Sequence, residues 1–170
     1  KLIERPRHIE CFDNSNFQGV DAVAACVVFK NAKPSKKDYR HFNIKTIVGA
    51  DDFKSMEEVV YRRYKRLIDE KKSLPDLIII DGGKGQLSSA VKSIKKLNLF
   101  DQIQIVAIAK KLEDIFFYGE TLPLYLDKRS STLKLIQRIR NESHRFAITH
   151  HRNKRSKDML ITSLDQIQGI

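Results

Sequence analysis

Two hydrophobic periods divide the chain. In its first fifty residues apolar and polar side chains alternate with a period of two, as in strands with one covered face. Ile9, Cys11 and Asp13 share such a face in a strand predicted over residues 8–12. Residues 22–30, rich in valine and alanine, predict a second strand. Residues 39–45 predict a third, half-exposed one, with Tyr39, His41 and Asn43 set against Arg40, Phe42 and Ile44. The links carry turn chemistry: Asp13-Asn-Ser-Asn16 followed by Gly19, and Asn31 to Ser35 around Pro34. Links this short favour an antiparallel meander.

Beyond residue 50 a period of 3.6 dominates. Met56, Val59, Val60, Tyr64, Leu67 and Ile68 form the apolar stripe of a helix over 54–71. Leu87, Ala90, Val91 and Ile94 do so for a helix over 86–97, and Leu133, Ile136, Ile139, Ser143 and Phe146 for one over 131–147. Between the first two lies the unbroken run Leu77 to Ile80, closed by Asp81 and Gly82, which reads as a strand buried on both faces. Pro75 bars a helix from entering it. Residues 103–109 predict another strand, and 115–117 with 122–124 a hairpin about Gly119. From His150 onward the chain reads as a basic, polar tail.

Three strands, helix, strand, helix, strand, helix specify one mixed α/β (α+β) sheet with helices packed on it. That is the order of the ribonuclease H-like fold. In that fold an acid on the first strand meets another at the end of the fourth, and a residue of the last helix closes the site. Asp13, Asp81 and His144 hold those three places.

Asp81 ends a central strand, at the edge where open α/β sheets bind ligands. Its carboxylate needs a compensating partner. A metal ion, Lys84 and the amides of the following turn are the candidates, and capping of the next helix is the plain structural alternative. Phosphodiester hydrolysis uses a metal to offset charge and to generate hydroxide near neutral pH. Magnesium takes one or two carboxylates, here Asp13 and Asp81. The nitrogen of His144 favours manganese somewhat and also suits proton transfer. Its alternative is a helix-surface histidine bonded to Glu142 or to a backbone carbonyl. Asp51 and Asp52 read as a helix cap and dipole partner, one of them within reach of the site as a further acid. Gly82-Gly83-Lys84-Gly85 lacks the GxxxxGK[ST] spacing of a P-loop. Its glycines are read as allowing a sharp turn, with Lys84 near a phosphate.

Charge sharpens this picture. The chain carries 32 Lys or Arg against 21 Asp or Glu, a net +11. Between Lys128 and Lys157 stand ten bases and a single acid, Glu142. A one-sided basic block with apolar residues threaded through it points to a polyanion such as nucleic acid. Arg138, Arg140, Arg145, Arg152, Lys154, Arg155 and Lys157 are expected to follow a DNA backbone, giving affinity and register rather than sequence choice. At 170 residues one domain with a proper core is expected. There is no apolar run of about 18 residues to span a membrane. The start, Lys-Leu-Ile-Glu, has neither a methionine nor a signal pattern, so the chain is expected to be part of a longer protein. Cys11 and Cys26 lack metal-ligand spacing and read as buried thiols in a reducing, cytoplasmic compartment.

At four stretches the chain resembles the C-terminal nuclease domain of the bacterial UvrC family: Ile9 to Asp13, Asp51-Asp52, Asp76 to Gln86, and Gln137 to Thr149. The likeness runs in order along almost the whole chain. It implies a ribonuclease H-like endonuclease domain over residues 1–160 that makes the incision 5′ to a lesion during nucleotide excision repair. It implies Mg2+ or Mn2+ held by Asp13, Asp81 and His144, with Asp52 as a supporting acid. It implies damaged double-stranded DNA as substrate, UvrB as partner with UvrA upstream, and residues 161–170 as the lead into a helix-hairpin-helix module. Asn16 and Asn141 stand where relatives often carry histidine and aspartate. Two competing readings are a catalytically silent DNA-binding module of the same fold, and a nucleotide-binding domain built on Gly82 to Gly85.

Overall fold

The computed structural model describes residues 4–17, 20–44, 51–109 and 114–165; for 15–17, 20–22, 151, 154, 155, 158 and 160–165 it describes the backbone alone. Seven strands form one sheet: β1 (His8–Phe17), β2 (Val20–Lys30), β3 (Lys33–Pro34), β4 (Arg40–Asn43), β5 (Leu77–Asp81), β6 (Gln104–Ile108) and β7 (Ile115–Phe117). Among the described residues three α-helices accompany it: α1 (Asp52–Asp69), α2 (Lys84–Lys96) and α3 (Ser131–Asp165). The spatial order is β3-β2-β1-β5-β6-β7, with β4 also paired to β2. β1 and β2 are antiparallel, β1, β5 and β6 mutually parallel, and β7 antiparallel to β6. This is the mixed sheet expected of a meander followed by two crossovers.

The period-two pattern of β1 sorts its side chains between two layers. Glu10 and Phe12 face α1, where Phe12 meets the Tyr64 ring edge-on at 6.0 Å. Asp13 faces α3. α3 packs on β1 and β2, while α1 and α2 pack on each other and on the opposite face. Leu77 to Ile80 are buried throughout, as an apolar strand between two helical layers must be. Cys11 and Cys26 are buried free thiols, as expected. Among the described residues no helix is long and apolar enough to cross a membrane.

Several boundaries differ from the sequence reading. Residues 13–16, expected as a turn, continue β1 to Phe17, because Ala25, Ala24 and Val23 of β2 offer them ladder partners. The expected bend at Gly19 lies outside the described residues. The β2–β3 turn is confined to Asn31 and Ala32, both at positive φ, and Pro34 belongs to β3 rather than to the turn. α3 does not stop near Ala147 but continues to Asp165, since neither glycine nor proline interrupts residues 131–165. The 115–124 hairpin forms, with Ile115 and Leu124 exchanging both backbone hydrogen bonds and Gly119 at φ +84°.

Candidate metal and phosphodiester site

Two acids meet because β1 and β5 run parallel in a register that sets Asp13 directly beside Asp81. Their side chains are 1% and 4% exposed. His144 arrives from α3, its Nδ1 3.0 Å from Asp13 Oδ2. One ligand atom from each of the three residues lies within 4.8 Å of the others. A carboxylate only accepts, so the imidazole donates through Nδ1; in a neutral ring that leaves the lone pair on Nε2. The ring is half exposed. Two hard oxygen donors and an imidazole suit a divalent cation.

The structure places each of the residues singled out in the sequence. His144 bonds to Asp13, while Glu142 takes Tyr39 and Arg145 instead. Asp81 does not cap α2: the cap is Gly83, without a side-chain bond. Nor does Lys84 join the cluster. Its ammonium donates to the Thr121 carbonyl at 2.6 Å and sits over the Phe116 ring. Asp51 caps α1 by accepting from Phe53 and Lys54 amides. Asp52 is exposed and lies outside the three-residue cluster. Its carbonyl accepts from Asn14 Nδ2 at 3.0 Å, which ties the start of α1 to β1 one residue past Asp13. Gly82, Gly83 and Gly85 have no positive φ, and at Gly82 and Gly85 it is space that a side chain would lack. A Cβ on Gly85 would meet the Phe53 ring at 2.5 Å.

A groove of about 550 Å³ opens beside Asp81 and His144. Arg140, Arg145 and Arg152 line it, with Asn141, Ile148 and Thr149. Residues 141, 145, 148, 149 and 152 follow the i, i+4, i+7, i+8, i+11 spacing of one helix face. Thr149 was missed as a lining residue; that spacing from Asn141 was the available signal. Arg138 lies elsewhere, its Nη1 3.4 Å from the Ala32 carbonyl and its guanidinium over Phe29. Lys157 is exposed, and the side chains of Lys154 and Arg155 are outside those described. Burial, then the charge of Asp81, pushes the Cys11 thiol well up, so it stays neutral beneath the site.

Fold and cluster together define a ribonuclease H-like module with a candidate Asp-Asp-His metal centre at the carboxyl edge of its sheet. Residues 1–148 match the UvrC RNAse H endonuclease domain, and the chain belongs to that family. It is 67% identical over its whole length to UvrABC system protein C of Flavobacterium psychrophilum, and 64% identical over 99% of its length to that of Cytophaga hutchinsonii. The chain spans 28% of the length of each. Among solved structures it is similar to endonuclease V of Bacillus subtilis, at 12% identity and a TM-score of 0.48, over 86% of this chain and 83% of that one.

Proposed function

We propose that the chain is a divalent-metal-dependent endodeoxyribonuclease that makes the incision 5′ to a lesion in damaged double-stranded DNA. It acts in the cytoplasm with UvrB as partner and UvrA upstream, and residues beyond 160 lead into a helix-hairpin-helix module. The meeting of Asp13, Asp81 and His144 carries this reading. Asp13 and Asp81 would hold Mg2+ or Mn2+ with their oxygens, and Asp52 is a supporting acid at the rim. The bound ion supplies charge neutralisation at the phosphate and a hydroxide near neutral pH.

The chain's own residues do the rest. Asp13 fixes the tautomer and tilt of the His144 ring through Nδ1. That leaves Nε2 with one lone pair, for the ion or for a water proton but not for both. Arg140, Arg145 and Arg152 line the approach for the phosphates, and Lys154, Arg155 and Lys157 carry the basic run further along α3.

Incision of a lesion-bearing duplex by the full-length protein, in Mg2+ and in Mn2+, tests this. Binding without any metal-dependent cut would favour the silent DNA-binding module instead. Replacing Arg152 and Lys157 by alanine is expected to weaken DNA binding and flatten its salt dependence. Each lost phosphate contact should take about 0.9 off the slope of log affinity against log salt. Fluorescence anisotropy across a salt series measures the slope, and an unchanged one removes these residues from the interface.

A further inference from the structure

Glu142 is the single acid among ten bases between Lys128 and Lys157, and nothing in the incision chemistry above uses it. Its Oε2 accepts from Arg145 Nε at 2.8 Å and its Oε1 from Arg145 Nη2, also at 2.8 Å. The same Oε1 accepts from the Tyr39 hydroxyl at 3.1 Å, across 103 residues of sequence. Tyr39 is 7% exposed and packs edge-on against Phe146 at 5.0 Å. The acid is thus anchored by a buried tyrosine on one side. On the other it grips the guanidinium of a groove residue in the two-pronged geometry that fixes an arginine most firmly.

An acid beside a phosphate-binding groove opposes binding. Its presence is explained if orientation matters more than net charge. A free arginine spreads over many rotamers, and ordering it on phosphate costs that rotamer freedom. With Nε and Nη2 gripped, that ordering is done before DNA arrives, and Nη1 stays available to a phosphate oxygen.

We propose that Glu142, braced by Tyr39, is a positioning residue that sets Arg145 against the phosphate strand beside the incision site. The inference rests on the nuclease reading. Three roles give different signs. A purely electrostatic acid, once neutralised, tightens DNA binding and leaves cutting unchanged. A merely structural one lowers thermal stability whatever residue stands at 145. A positioning one slows cutting only while Arg145 is present.

The test uses full-length protein with single-turnover incision in Mn2+, metal-free DNA affinity, and melting temperature. Glu142→Gln is expected to slow incision about tenfold with affinity unchanged or slightly tighter. Tyr39→Phe, which removes one hydrogen bond and keeps the ring, is expected to slow it about threefold. In an Arg145→Ala background neither change should slow it further, as a double-mutant cycle reads directly. Parental rates for Glu142→Gln, or the same slowing without Arg145, overturn the proposal. Should Glu142→Gln fold poorly, Tyr39→Phe with and without Arg145 decides alone. Asp81→Asn runs alongside: if it cuts normally the nuclease reading falls, whereas a dead Asp81→Asn with an unaffected Glu142→Gln sinks only the positioning role.

Discussion

Replacing Asp81 by asparagine is expected to slow incision on the order of a thousandfold or more, about 4 kcal/mol of barrier, with DNA binding retained. The substitution keeps volume and removes one charge from a pair that sits side by side on β1 and β5. An amide oxygen is a weak ligand for a hard cation and offsets none of its charge. Stability should move the other way. Both carboxylates are buried, so without metal the change relieves like-charge repulsion, and the melting temperature in chelator should hold or rise. In Mn2+ the parent should gain stability as ligand binding to the folded state dictates, and Asp81→Asn should gain little. Incision assays and thermal melts with and without metal check both halves. Full cutting by Asp81→Asn would refute the metal site.

The second large effect concerns the other face of β1. Glu10 is fully buried and accepts from Arg63 at 2.7 and 3.1 Å and from the Tyr64 hydroxyl at 2.9 Å, with His8 Nε2 at 3.3 Å. Burial by itself pushes the Glu10 carboxyl up; the bonds from His8, Arg63 and Tyr64 and the Arg63 charge overcome this and bring it down to about 2. Arg63→Ala strips the main counter-charge and is expected to cost about 3–5 kcal/mol, a large part of a domain's stability. Urea denaturation measures it. Glu10→Leu combined with Arg63→Met should recover most of the loss, because apolar groups of similar size need no compensation.

The pH dependence follows with a definite sign. In the parent the folded carboxyl lies below its ordinary 4.5, so its stabilisation is complete above pH 4.5 and fades as pH falls toward about 2. In Arg63→Ala burial prevails and the folded carboxyl rises above 4.5, so that variant should lose stability as pH climbs above 4.5 and should stay flat between 4.5 and about 2, where the parent slopes. Melts between these pH values that slope alike in both proteins would contradict this account.

Much of the architecture was legible because it is local. The unbroken Leu77–Asp81 run, the three amphipathic stripes and the short strand links each state an element type and a covered face. Asp13, Asp81 and His144 were legible as places in an element order. Misreadings came where a distant partner overrides local chemistry. Asp13-Asn-Ser-Asn16 has turn composition, yet the β2 ladder holds it extended. Lys84 sits beside the candidate site in sequence, yet the Thr121 carbonyl takes its ammonium. Arg138 shares the basic block with Arg140, yet their positions two apart on a helix send them to different sides.

Local pattern therefore determined the elements, their inner faces and the residues able to do chemistry. Only the tertiary structure decided that the Asp13 carboxylate and the imidazole of His144, 131 residues apart, share a hydrogen bond, and that Glu142 grips Arg145 under the brace of Tyr39. Side-chain periodicity says which way a residue faces. How far one strand is slid against its neighbour, and where a helix crosses them, is set by packing the whole core at once, and that slide places one aspartate beside the other.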